Sequence, residues 1–236
     1  MTEPENNAKI AKNDESVPAD IHTYVESLYG PDPDLERVRQ SLREHGIWDV
    51  SIERGCGLLL TLLVRTSGAR RILEIGALGG YSGICLARGL PPDGRLVSLE
   101  LERKHADLAY ANLQAAGLGE KAEYRVGPAL SGLEQLAREG AKFDLVFIDA
   151  DKANYVHYLD WALQLTNPGA IIAGDNAFMR GRTLNPAVTS NSVQRMREFN
   201  RRMVSDPRLE GLVLPAFDGL CLARVKSANQ ADGQGV

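Results

Sequence analysis

The sequence predicts an α/β fold: a doubly wound sheet of seven strands, mostly parallel, with an antiparallel last hairpin and helices on both faces. Three observations carry this. The stretch Arg71-Ile72-Leu73-Glu74-Ile75-Gly76-Ala77-Leu78-Gly79-Gly80-Tyr81-Ser82 runs from a short apolar strand through a glycine turn into the apolar helical segment Ile84 to Leu90. This is how a βαβ unit begins. Downstream, short apolar runs alternate with segments of helical period, the pattern of a parallel sheet covered by crossover helices. Finally, Leu209 to Leu214 and Gly219 to Val225 lie close enough in sequence to pair as a hairpin.

Residues 1–17 are polar and predict a flexible arm; 18–225 predict one domain whose first part, 18–66, is helical; 226–236 predict a disordered tail. From Pro18, Ile21, Tyr24, Val25 and Leu28 share a helical face. Pro31 and Pro33 interrupt it, and Asp34 can cap a second helix striped by Leu35, Val38 and Leu42. Gly57 to Val64 is densely apolar and reads as a buried helix feeding the first strand, or as a dimer surface. After Gly80 come a turn at Pro91-Pro92-Asp93-Gly94 and a strand over Leu96 to Glu100. A helix from Glu102 to Ala116, closed by Gly117, leads to a strand over Ala122 to Val126. Leu130 to Glu139 is helical, Lys142 to Asp149 a strand, and Ala153 to Leu165 a helix ended by Asn167-Pro168-Gly169. Ala170 to Ala173 is the fifth strand, and Ser192 to Ser205 a helix striped by Val193, Met196 and Phe199.

Composition narrows the function classes. A net charge of −4 offers no electrostatic case for nucleic acid or an acidic membrane surface. Cys56, Cys85 and Cys221 are too few and too scattered for a disulfide framework or a zinc site. No apolar stretch reaches membrane-span length and no signal-peptide core is present, so a cytoplasmic location is the default.

The glycine spacing is not that of a dinucleotide fingerprint, which would need glycine at Leu78. Glu74, at the mouth of the turn, would repel a pyrophosphate and favour a ligand with positive charge, such as an ammonium beside a sulfonium. Glu100, ending the second strand, can accept the hydroxyls of an adenosine ribose. The pair favours S-adenosylmethionine over NAD. In a doubly wound sheet ligands bind at the carboxyl ends of the strands. The fourth ends in Asp149-Ala150-Asp151-Lys152 and the fifth in Gly174-Asp175-Asn176. Asp149, Asp175 and Asn176 can converge as oxygen ligands for a hard divalent cation such as Mg²⁺.

The motifs E-I-G-A-L-G-G-Y-S, D-A-D-K-A-N-Y and G-D-N resemble the cation-dependent O-methyltransferases of the catechol and caffeoyl-coenzyme A type, over about Ser16 to Val225. The resemblance implies a Rossmann-like fold, S-adenosylmethionine as donor, and Asp149, Asp175 and Asn176 as metal ligands. It implies Glu74, Gly76, Ala77 and Ser82 in the donor-binding turn, Glu100 at the ribose, Ala129 against the adenine, and Asp151 near the methionine part. Lys152 matches a proposed general base; an ion pair to Asp149 or Asp151 is the competing reading. It also implies a homodimer and a small hydroxylated acceptor.

The chemistry is consistent with that implication. Two adjacent hydroxyls can chelate Mg²⁺, which lowers the pKa of the bound oxygen, and alignment of two bound reactants supplies much of the acceleration. The sequence departs from the plant members where Met179-Arg180 replace Trp-Asn, and the segment Ala177 to Asn191 is basic, with Arg180 and Arg182. That segment is expected to line the acceptor pocket. A second candidate reaction is methylation of a single hydroxyl on a macrolide or other secondary metabolite; a third reading is a non-catalytic adenosyl-binding module.

Overall fold

A computed structural model describes residues 21–227. The expected arm 1–17 lies outside the described residues, as does the expected tail beyond Ser227. A first unit, ending at Pro31, carries α1 (Ile21–Ser27); the second begins at Asp32 and holds everything else. In order it contains α2 (Pro33–Glu44), α3 (Arg54–Ser67), β1 (Arg71–Ile75), α4 (Tyr81–Gly89), β2 (Arg95–Glu100), α5 (Arg103–Ala115), β3 (Ala122–Val126) and α6 (Ala129–Arg138). Then come β4 (Phe143–Ile148), α7 (Tyr155–Leu165), β5 (Thr166–Gly174), α8 (Asn191–Ser205), β6 (Leu209–Leu214) and β7 (Leu220–Val225).

The sheet order is β3-β2-β1-β4-β5-β7-β6. The first five strands are parallel, and β7 runs antiparallel between β5 and β6. Chain order reverses between β1 and β4, the crevice where open sheets of this kind take ligands. Strand alternation divides the core. Leu73, Ile75, Val146 and Ile148 pack with α6, α7 and α8, including Leu133, Tyr155 and Phe199. Ile72, Leu96, Leu145 and Phe147 pack with α2 to α5, including Leu42, Leu60, Ile84 and Leu113. Both faces are covered, as the β/α alternation predicts.

Several local expectations change. Asp32, not Asp34, caps α2: its Oδ1 accepts from the Leu35 amide at 3.3 Å. Pro33 takes the first helical position, where its missing N–H costs nothing. Asn167-Pro168-Gly169 does not precede the fifth strand but lies inside β5 as a bulge. Phe143 pairs with Thr166 while Leu145 pairs with Ile171, so the extra residues leave the ladder, and proline is tolerated in such a bulge. α7 begins at Tyr155, because Lys152–Asn154 form a separate 3-10 turn. α3 is buried on one side only: Cys56, Leu60 and Val64 face the core at four-residue spacing, whereas Leu58 and Leu62 are 39% and 56% exposed.

Candidate active site

The backbone ladder continues one residue beyond the parallel strands. Gly76 N–H donates to Leu99 O at 2.9 Å, Asp149 N–H to Ile75 O at 2.9 Å, and Asp175 N–H to Ile148 O at 3.0 Å. Glu100, Gly76, Asp149 and Asp175 therefore stand in one row across β2, β1, β4 and β5. They open onto a cavity of about 1050 Å³. Single drug-sized ligands occupy pockets of roughly 300–1,000 Å³, so this one has room for two reactants. Gly76, Ala77, Ser82, Glu100, Ala129, Asp149, Asp151, Lys152, Asp175 and Asn176 all line it; Glu74 does not.

Backbone strain points to the same place. Among the described residues the non-glycines with left-handed φ are Leu78, Asn176, Met179, Arg180 and Phe217, and all five line this cavity. Such conformations persist only where their surroundings enforce them, and they gather at functional sites.

At the β1–β2 side, Glu100 Oε2 accepts from the amides of Ala77 at 3.0 Å and Leu78 at 2.9 Å, and Oε1 from Glu102 N–H at 3.0 Å. This carboxylate holds the glycine turn in shape. His105 Nδ1 lies 3.5 Å from Glu100 Oε1 and also lines the cavity. Glu74 is fully buried beneath the turn. It shares the strand face of Ile72, so alternation aims it at α4 rather than at the mouth. Its carboxyl accepts from Ser82 Oγ at 2.5 Å and from the Ser98 hydroxyl. Burial, reinforced by the charges of Asp149 and Glu100, pushes Glu74 up to about 7 against the two serine hydrogen bonds.

That shift has a measurable consequence. A carboxyl whose folded pKa is raised binds its proton more tightly in the native state, so its contribution is present below about pH 4.5 and is lost as pH rises through about 7. The loss amounts to about 3 kcal/mol at most. Glu74→Gln removes the charge and keeps the shape, with one serine donating to the amide oxygen and the other accepting from its NH₂. Urea unfolding of the ligand-free variant is expected to lose its stability drop between pH 4.5 and 7 and to exceed the native protein at pH 8. An unchanged pH profile would show that the fold does not raise the pKa of Glu74.

At the β4–β5 side, Asp149 Oδ1 accepts from Lys152 Nζ at 2.9 Å, so the ion pair offered as the competing reading of Lys152 is formed. Lys152 also donates to Tyr155 Oη at 2.6 Å, and that hydroxyl donates toward the carbonyls of Ile148 at 3.1 Å and Asp175 at 3.2 Å. Asp175 is 5% exposed, and burial together with the charge of Asp149 raises its pKa. Asn176 is held at φ 61° beside it. Asp151 is engaged by the Tyr158 hydroxyl and by Asn154 Nδ2 at 2.7 Å.

Two neighbouring carboxylates, with one lysine paired to Asp149, are a set of hard oxygen donors carrying surplus negative charge. That is what a divalent cation neutralises, and the donor chemistry fits one. Among the described residues no group of three His, Cys, Asp or Glu forms such a set; the third oxygen here would be the Asn176 amide.

The segment after Asn176 forms the far wall through Met179, Arg180 and Arg182. It is fastened from two directions. The β6–β7 turn holds it through Ala177 N–H to Gly219 O at 2.9 Å, Phe178 N–H to Asp218 O at 2.9 Å, and Arg180 N–H to Asp218 Oδ1 at 2.6 Å. From α8, the Arg197 guanidinium donates to the carbonyls of Thr183 at 2.9 Å, Val188 at 2.9 Å and Asn185 at 2.5 Å. Asp218, Phe217, His105 and Arg197 were not singled out from sequence. For Asp218 a signal existed: a hairpin antiparallel to β5 returns its turn to the carboxyl end of the sheet. His105, in the first turn after Glu100, had the same kind of signal, whereas Arg197 had none.

A family model described as O-methyltransferase matches residues 26–226. A catechol O-methyltransferase of Niastella koreensis is 40% identical over 213 residues, covering 87% of this chain and 96% of that protein. An O-methyltransferase from Bacillus cereus, solved in complex with SAH, superposes with a TM-score of 0.82 at 40% identity, over 87% of this chain and 97% of that one. O-methyltransferase TomG from Streptomyces achromogenes, involved in tomaymycin synthesis and solved with SAM, gives 0.81 at 40% identity, over 88% and 96%. The chain belongs to the O-methyltransferase family and is an enzyme of methyl transfer.

Proposed function

We propose that the protein transfers a methyl group from S-adenosylmethionine to one of two vicinal hydroxyls on a small aromatic acceptor, with a divalent cation such as Mg²⁺. The observation that carries this reading is the row Glu100, Gly76, Asp149, Asp175 along one cavity, with Asn176 in an enforced left-handed conformation beside it. The SAH and SAM complexes of the two solved relatives support the donor.

Asp149, Asp175 and Asn176 would hold the cation, whose contribution is to lower the pKa of an acceptor hydroxyl. Glu100 fixes the turn at Ala77 and Leu78 and offers its carboxylate to the ribose. Ser82 and Gly76 form the bare wall against the methionine part of the donor, and Ala129 lies where the adenine would rest. Lys152 is the candidate base: only as the neutral amine, its proton having left, would Nζ take the acceptor proton, with Asp149 and Tyr155 holding it in position. The remaining work is alignment of the acceptor oxygen with the methyl carbon, opposite the sulfonium.

Methylation of one hydroxyl on a secondary metabolite is the second reading, favoured by the likeness to the tomaymycin-related enzyme. Isotope-labelled donor with a panel of diphenols and mono-hydroxylated natural products separates the two. Methylation of catechol that stops with EDTA and returns with Mg²⁺ is expected. Turnover of mono-hydroxylated acceptors alone, indifferent to EDTA, would favour the second reading.

A further inference from the structure

We infer that Arg180 recognises a carboxylate on the acceptor, so that the preferred acceptor is an acidic diphenol; this rests on the methyl-transfer reading above. The arginines on this wall and on the adjoining helix differ in how they are used. Arg182 donates to Ser190 Oγ at 3.3 Å, Arg195 pairs with Glu198 at 3.0 Å, and Arg197 is spent on backbone carbonyls. Among the described residues the Arg180 guanidinium has no hydrogen bond or ion pair, although it lines the cavity. Asp218, the acid beside it, is committed to the Arg180 backbone N–H and not to the guanidinium.

The position is built. Met179 and Arg180 are consecutive left-handed residues at φ 49° and 55°, a conformation side-chain-bearing residues hold only under constraint. The Asp218 contact on one side and the Arg197 clamp on the other supply that constraint. The fastened backbone fixes where the exposed Arg180 side chain starts, which removes the backbone share of the entropic cost of binding. Its planar fork matches the two oxygens of a carboxylate.

Charge sets the orientation. With the cation at Asp149 and Asp175 taking the hydroxyls, the acids of the floor left uncompensated are Asp151 and Glu100, which repel a carboxylate, so an acidic acceptor places its carboxylate at Arg180 and its hydroxyls toward the floor. That polarity would also decide which hydroxyl meets the donor.

The test is calorimetric binding to protein loaded with S-adenosylhomocysteine and Mg²⁺, with 3,4-dihydroxybenzoate, catechol and dopamine as acidic, neutral and basic probes. Dihydroxybenzoate is expected to bind about tenfold tighter than catechol, the size of one charge-assisted contact. Arg180→Ala is expected to erase that advantage and Arg180→Glu to move it to dopamine. Equal affinities in the native protein, or an advantage that survives in Arg180→Ala, overturns the assignment. Methylation of catechol by the native enzyme is measured alongside. Acid preference without turnover supports the Arg180 site and counts against diphenol methylation; turnover without acid preference does the reverse.

Discussion

Asp149→Ala is expected to lower kcat/KM with a catechol acceptor by about 10²–10³-fold, the range seen when one preorganised electrostatic contact is removed from an active site. The alanine deletes one of the three proposed oxygen donors and leaves Lys152 without its 2.9 Å carboxylate partner. It also removes a charge that raises the pKa of the buried Asp175. The last effect has the opposite sign for the fold. Relieving repulsion between two adjacent acids is expected to leave the ligand-free variant at least as stable as the native protein in thermal melts at neutral pH. Loss of activity without loss of stability is the signature of a group kept for chemistry at the expense of the fold. Asp149→Asn refines the result. It retains an oxygen that can hold a cation weakly, as Asn176 would, but cannot pair with Lys152 as an anion. Partial activity that rises with Mg²⁺ concentration points to ligation. Inactivity at every Mg²⁺ concentration points to the Lys152 pairing. Full activity in Asp149→Ala would remove the metal set from the proposal altogether.

The strand ends were legible because parallel-sheet topology converts sequence order into position. Once β1, β2, β4 and β5 are recognised, their terminal residues must share one edge, and Glu100, Gly76, Asp149 and Asp175 do. Glu74 was read at the mouth of the turn, but alternation with Leu73 and Ile75 sends its side chain beneath the turn instead. Asn-Pro-Gly was read as punctuation before a strand, since turn residues mark loops and bulges alike and only the ladder tells them apart. Arg197 illustrates what a single sequence hides. Its role comes from carbonyls 9 to 14 residues back along the chain, brought together by a loop whose path no local propensity specifies.

Gly76→Ala is expected to destabilise the protein by about 3 kcal/mol or more and to abolish donor binding, because strain and overlap fall on the same atom. Gly76 has φ 97°, and a Cβ there would lie 2.1 Å from the carbonyl oxygen of Asp149 and 2.9 Å from its carbonyl carbon. Both obstacles are backbone, so no side-chain rotation relieves them. The turn after β1 and the end of β4 would have to separate, and the Asp149 N–H to Ile75 O bond holds them together at 2.9 Å. Gly127→Ala is the control. It also has positive φ, at 136°, but nothing lies within 4 Å of its Cβ position, so it suffers backbone strain alone. Urea unfolding of the two variants therefore isolates the close approach from the dihedral. A Gly76 variant no less stable than the Gly127 variant would mean that the crevice between β1 and β4 can widen without cost. A larger loss at Gly76 means that the row from Glu100 to Asp175 keeps its spacing because two backbones touch where only hydrogen fits between them.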